Sequence, residues 1–277
     1  MKYQGEAALV TGASSGIGEA FARELAARGT HVLLSSLPEE HSHVRVIADE
    51  LTKRHQVRTE VIPMDLALQG AARRLQAAAD KLDFEPDFLV NSAGIATGDA
   101  FAEAPLQREL SVVSVNVAAL VELTGLYLPR MVARHHGGII NVASTAALQP
   151  IPYSAVYAAS KAFVLSFGEA LWAENHAKGV RVTTLCSGPV STPLHEKAGV
   201  TGPATGTYGQ MKRRYLTPEA VVKSALEALE RDQPRVVRRL PGFGSLYVPL
   251  AVAVHLVPRR VALQGIERLF HWLYRRQ

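Results

Sequence analysis

The chain has 277 residues, 48% of them hydrophobic and 20% charged, and a formal net charge of +5. That length and balance fit one large α/β domain with a sizeable core and exclude a mainly disordered chain. Cys186 is the only cysteine, which excludes an intrachain disulfide and a cysteine-built metal site, and fits a reducing, cytoplasmic setting; no metal ligand set is expected.

The charge is uneven. Residues 231–277 carry nine arginines against two acidic residues, a local charge of +7, whereas the other 230 carry 21 basic and 23 acidic side chains, a charge of −2. A basic tail on a near-neutral body, with no basic stripe interleaved with aromatics, argues against nucleic-acid binding. Met1–Glu6 leads into an apolar run too short for a secretory signal, so none is expected.

In chain order, Ala7–Val10 reads as a buried strand and Ile17–Arg28 as a helix, with Ile17, Phe21 and Leu25 at helical spacing. A strand at Val32–Ser35, a helix near His43–His55, a strand at Arg58–Ile62, a helix near Ala71–Leu82 and the strand Phe88–Val90 follow. Then come a long helix around Leu106–Arg134, the strand Ile139–Val142, a helix from Tyr153 to Lys178, the strand Val180–Cys186, a helix over Pro218–Arg231 and a short strand at Arg235–Arg238. Continuous apolar strands separated by helices predict a parallel sheet covered on both faces. Right-handed crossovers make it a doubly wound, Rossmann-type α/β fold. We expect a single domain over residues 1–239, and a C-terminal helical extension over 240–277. In that extension Leu240–Val257 has no Asp, Glu, Lys or Arg, but Pro241 and Pro249 interrupt it, which disfavours a transmembrane helix. Arg259–Arg276 reads as a basic amphipathic helix with Val261, Leu263, Ile266, Leu269, Phe270 and Leu273 apolar. Packing onto the body or a partner subunit is the expected use of that face, with peripheral membrane contact as the alternative.

Thr11-Gly12-Ala13-Ser14-Ser15-Gly16-Ile17-Gly18 lies between the first strand and the first helix. Glycines there let the backbone turn and approach a pyrophosphate, and the helix N-terminus aims N–H groups at the anion. The spacing is Gly-x-x-x-Gly-x-Gly, and the Lys-Ser/Thr pair of a triphosphatase loop is missing. At the end of the second strand, Leu34-Ser35-Ser36-Leu37 holds no carboxylate to accept a ribose hydroxyl and repel a 2′-phosphate. NADP(H) is therefore expected in preference to NAD(H).

Tyr157 and Lys161 stand four residues apart, on one face of a helix. An ammonium beside a phenol, with an oxidised nicotinamide near, should favour phenolate and make Tyr157 a proton donor and acceptor near neutral pH.

With these residues in order, the chain resembles the short-chain dehydrogenase/reductase superfamily, in its branch of about 250 residues, over residues 5 to 230. The resemblance implies that Thr11, Gly12, Ser14, Ser15, Gly16, Ile17 and Gly18 form the coenzyme loop, and that Ser36, Asp65 and Leu66 lie on the adenosine side. Asn91-Ser92-Ala93-Gly94 resembles the family's Asn-Asn-Ala-Gly motif, which makes Asn91, Ala93 and Gly94 part of the coenzyme groove. Asn116 matches the residue that supports a relay water. Ser144, thirteen residues before Tyr157, matches the serine that hydrogen-bonds the reacting oxygen. Gly188, Val190 and Thr192 match the loop over the nicotinamide, with Ser187 in place of the usual proline. Tyr157 and Lys161 then serve both catalysis and coenzyme binding.

The same resemblance implies a small-molecule carbonyl or secondary alcohol substrate held by Ala146–Tyr153, by Ile95–Phe101 and by a lid over about 193–215. The apolar first segment suggests a hydrophobic substrate, as in bacterial reductases related to hydroxysteroid dehydrogenases and 3-oxoacyl thioester reductases. It also implies a homodimer or homotetramer, paired through the two long helices. A catalytically inactive coenzyme-binding regulator needs a broken catalytic set, and a related epimerase or dehydratase a different loop; neither is present.

Overall fold

The structure, a computed structural model, describes residues 2–194, 215–238 and 258–274. The predicted apolar runs form strands β1 (Ala7–Thr11), β2 (His31–Ser36), β3 (Thr59–Pro63), β4 (Phe88–Asn91), β5 (Gly137–Val142), β6 (Val180–Ser187) and β7 (Arg235–Arg238). The helices are α1 (Gly16–Ala27), α2 (His41–His55), α3 (Ala71–Lys81), α4 (Leu106–Val113), α5 (Leu120–Ala133), α6 (Ala155–Asn175), α7 (Pro218–Glu230) and α8 (Arg259–Tyr274). All seven strands pair in parallel, in the order β3-β2-β1-β4-β5-β6-β7. The order reverses between β1 and β4, where loops at the carboxyl ends of the two strands diverge and leave a crevice.

Alternating side chains divide the core between the two faces. Ala8, Val10, Val32, Leu34, Phe88 and Val90 pack with α1, α2 and α7. Leu9, Leu33, Leu89 and Ile139 face the other way, onto Leu75 of α3, Leu123 and Tyr127 of α5, and Leu171 of α6. The stretch Leu106–Ala133 is long and apolar enough to cross a membrane, but its Leu123, Tyr127 and Met131 are buried on the sheet.

Three departures from the sequence expectations have physical causes. The helix expected as continuous over Leu106–Arg134 contains a π turn at Ser114–Ala119, between α4 and α5. Asn116, 1% exposed, is drawn inward there by bonds to Ile95 and Ser160. The helix expected from Tyr153 starts at Ala155, because Tyr153 has φ +65, a left-handed conformation that no helix continues. Its far end tightens into a 3-10 turn at His176–Lys178.

In α8, Ala262 and Ile266 are buried while Val261 and Leu263 are exposed, so only part of the expected apolar face is covered. The side chains of Leu269, Phe270 and Leu273 lie outside the described residues, as do Leu240–Val257, most of the expected lid (195–214) and residues 275–277.

Phe88, 2% exposed at the middle of the sheet, stacks on Tyr3 at 5.3 Å between ring centroids. Phe88→Ala should cost about 3–5 kcal/mol in denaturant unfolding, and a loss under about 1 kcal/mol would contradict this packing.

Candidate active site

Thr11 closes the crevice floor. At 1% exposure, its Oγ1 donates to the Val90 carbonyl at 3.3 Å and accepts from the Ser92 and Ala93 amides at 3.1 and 3.0 Å. One hydroxyl thus fastens the end of β1 to the segment that leaves β4. The glycine loop rises from the same point, with Ala13 N–H bonded to the Ser35 carbonyl at 3.1 Å and Ser14 7% exposed. A Cβ on Gly18 would collide with the Gly12 carbonyl, so the first turn of α1 lies directly on the loop. Ser15 stands at the N-cap of α1 but its side chain makes no bond to the helix. Ile17 packs on the core behind the loop. His43, on α2, reaches the Ser14 carbonyl through Nε2 at 3.1 Å.

The structure places the remaining coenzyme candidates as follows. Ser36, at the end of β2, is buried and weakly bonded to the Leu37 carbonyl at 3.4 Å, while the hydroxyl of buried Ser35 has no partner among the described residues. Asp65 Oδ1 accepts from the Ala67 amide at 2.9 Å, closing its own turn. Leu66 buries its side chain in the core with Ile62 and Leu75, so it offers the crevice only backbone. Asn91 likewise offers the crevice only its backbone. Its side chain turns from the groove into the sheet, donating to Asn141 Oδ1 at 2.9 Å and Thr124 Oγ1 at 3.2 Å. Ala93 is fixed by Thr11. Gly188 N–H bonds the Arg238 carbonyl at 2.7 Å, and Val190 is buried beside Leu216 through a parallel bridge. Thr192 then crosses the glycine loop, since a Cβ built on Gly16 would come within 2.7 Å of its Cγ2.

The catalytic candidates converge on the ends of β5 and α6. Ser144 lies two residues beyond β5, where its Oγ accepts from the Ala146 amide at 3.1 Å, donates to the Ser187 carbonyl at 3.5 Å and lies against Tyr157. Lys161, 5% exposed, donates from Nζ to the Val142 carbonyl at 2.9 Å and sits 5.8 Å from the centre of the Tyr157 ring. A Cβ on Gly94 would approach Lys161 Nζ and Asn116 Oδ1, each at 3.3 Å, so a residue without a side chain lets the three groups meet. Asn116 Oδ1 accepts from Ile95 N–H at 2.9 Å, and its Nδ2 donates to the Ile95 carbonyl and to Ser160 Oγ, both at 3.0 Å. The side chain expected to support a relay water is therefore engaged in holding the substrate wall to α6.

In the protein alone, Lys161 does not bring the Tyr157 phenol below its ordinary value. Burial pushes the phenol above its ordinary value, and the neighbouring Ser144 hydroxyl offsets only part of that. Burial also lowers Lys161, to about 8. Desolvation is the largest influence on both groups.

Reading the sequence alone missed the Val142 carbonyl as the partner of Lys161, Ser160 as the partner of Asn116, and a buried chain through Glu109, Thr97 and Ser154. Carbonyls carry no sequence signal, and the other partners are separated by 12 to 57 positions.

A dinucleotide fits these residues. The uncapped first turn of α1 faces the loop, the orphaned Ser35 hydroxyl lies at the end of β2, and Gly94 keeps the crevice clear beside Lys161. A parallel sheet whose order reverses above a glycine loop is the frame of dinucleotide-binding proteins.

Comparison with known proteins narrows the class. The model of the short chain dehydrogenase family matches residues 6–201, and the chain belongs to that family. It is 35% identical over 208 residues to a very-long-chain 3-oxoacyl-CoA reductase from Anas platyrhynchos, a match covering 73% of this chain and 65%, just under two thirds, of that protein. It is 31% identical over 234 residues to a 7beta-hydroxysteroid dehydrogenase from Collinsella aerofaciens, covering 83% of this chain and 85% of the relative. A short-chain dehydrogenase from Sphingobium yanoikuyae, solved in complex with NADPH, superposes with a TM-score of 0.76 at 25% identity, covering 95% of this chain and 93% of the other.

The burial of Lys161 has a thermodynamic signature. Its folded value near 8 lies below the ordinary 10.5, so between those pH values the unfolded chain keeps a proton that the folded chain has released. Stability should therefore rise with pH across that window, by up to about 3 kcal/mol, relative to Lys161→Met. Urea unfolding of both proteins from pH 7.5 to 10.5 checks this, and parallel profiles would contradict it.

Proposed function

We propose that this chain interconverts a hydrophobic carbonyl compound and its secondary alcohol with NADP(H), in preference to NAD(H), and that Tyr157 is the general acid and base. One observation carries the reading. Tyr157 faces Ser144, with Lys161 one helical turn away and 5.8 Å from the ring centre, beside the crevice where the sheet order reverses. The bound coenzyme supplies the hydride in reduction and takes it in oxidation. Ser144 Oγ orients the substrate oxygen, and the Tyr157 hydroxyl gives that oxygen its proton. A phenol raised by burial stays protonated at neutral pH, which suits the donor role in reduction. Lys161 steadies the phenolate left behind, and its value near 8 lets it exchange a proton close to neutrality.

The preference for NADP(H) rests on Ser35, Ser36 and Leu37, which present no carboxylate at the end of β2, and on the NADPH in the Sphingobium relative. A hydrophobic substrate fits the apolar wall Ala146–Pro152 and the acyl and steroid substrates in the relatives' names. The grouping of Ser144, Tyr157 and Lys161 supports an active enzyme over an inactive regulator. We place the enzyme in the cytoplasm as a homodimer, or a homotetramer built from such dimers. Leu106, Leu110 and Val113 of α4 and Phe163 of α6 are exposed, and Phe101, Val156 and Phe163 border an apolar groove that a second copy would cover. Any contact between the tail and an anionic membrane would use exposed Arg259, Arg260, Val261 and Leu263.

Tyr157→Phe should lower turnover at least about a thousandfold while leaving NADPH binding, read by coenzyme fluorescence, within about twofold. Near-wild-type turnover in that variant defeats the assignment, and a kcat/KM that strongly favours NADH defeats the coenzyme preference. Leu110→Glu should halve the mass measured by light scattering in solution, and an unchanged mass would rule this face out as the interface.

A further inference from the structure

A buried polar chain joins the substrate side of the crevice to the helix that carries Tyr157, and the reaction as described makes no use of it. Glu109 of α4, Thr97 in the segment after Gly94, and Ser154 at the N-cap of α6 are 5%, 2% and 7% exposed. Thr97 Oγ1 donates to Glu109 Oε2 at 3.2 Å, and Ser154 Oγ donates to the Thr97 carbonyl at 2.7 Å. A serine at an N-cap ordinarily accepts from the amides of its own helix. Ser154 does not, and its hydroxyl reaches instead across 57 positions of sequence. Burying a carboxyl group costs stability unless it is bonded, so this chain makes sense through what it ties together.

It ties three walls: α4, the 95–101 segment, and the start of α6 three residues before Tyr157. Beside the joint, Tyr153 holds φ +65, a conformation that strains a bulky residue. The turn from Ser154 N–H to the Ile151 carbonyl, at 3.2 Å, and the Ser154 hydroxyl bond to Thr97 hold the chain there on its C-terminal side. We propose that Glu109, Thr97 and Ser154 are positioning residues, which set the 150–154 wall against the Tyr157 hydroxyl and so select the bulk and the face of the ketone presented to it. This rests on the hydride-transfer reading above. None of the three touches the reacting atoms. They act on orientation, to which a transfer step is steeply sensitive.

The test uses the full chain with NADPH and the prochiral ketone that the wild type reduces fastest among aryl ketones, oxosteroids and 3-oxoacyl thioesters. Thr97→Val keeps the shape and removes the donor to Glu109; Ser154→Ala removes the other bond; Thr97→Ser keeps both. In Thr97→Val and Ser154→Ala, KM should rise about tenfold and the product enantiomer ratio should fall about tenfold, the effect of one buried hydrogen bond. In both, kcat should change less than about threefold with NADPH affinity intact, and Thr97→Ser should stay close to wild type. If Thr97→Val fails to fold, Ser154→Ala decides alone. A folded variant with wild-type KM and enantiomer ratio overturns the proposal, as does a fall confined to kcat. A wild type that reduces nothing in the panel overturns the functional reading itself, whereas normal turnover with indifferent variants overturns only the positioning chain.

Discussion

The hydroxyl of Thr11 accepts two amides from the segment leaving β4 while donating to the carbonyl of Val90, and it does so where the strand order reverses. Much of the site depends on that fastening. It sets the height of Ala93 and Gly94 above the sheet, and Gly94 is the residue whose missing side chain lets Lys161 and Asn116 approach. It also fixes the end of β1, from which the glycine loop climbs to α1. The crevice is thus an outcome of topology, trimmed by one buried hydroxyl.

Burial governs the chemistry inside it. Tyr157 and Lys161 are both pushed toward their neutral forms, the phenol upward and the amine downward. Proximity of an ammonium alone would have predicted an acidic phenol. Desolvation dominates both groups, and the neighbouring Ser144 hydroxyl only partly offsets it at the phenol. The bias suits proton donation to a carbonyl oxygen.

Local spacing revealed much of this. Seven predicted strands form, and five of them are almost wholly buried, which is why they read as nearly continuous apolar runs, while the glycine loop lies between β1 and α1 as its position in the sequence suggests. Long-range pairing was not visible. Asn91 belongs to a motif expected to shape the groove, yet its amide is spent on Asn141 and Thr124 inside the sheet. Asn116 reads as one more residue of a long helix until its inward bonds open a π turn. Tyr153 fits a helical pattern, and only its backbone conformation shows that the helix begins two residues later. Glu109 would pass for a surface charge on an amphipathic helix; it is buried because Thr97 meets it there.

The central claim is that this crevice moves a hydride from coenzyme to carbon while a protein hydroxyl delivers the proton. Reduction of a ketone with NADPH deuterated at both C4 positions, in ordinary water, measures that directly. The account predicts one deuterium on the carbinol carbon of the product and none on its oxygen, read by mass spectrometry and NMR. Product formed without deuterium at that carbon would contradict it.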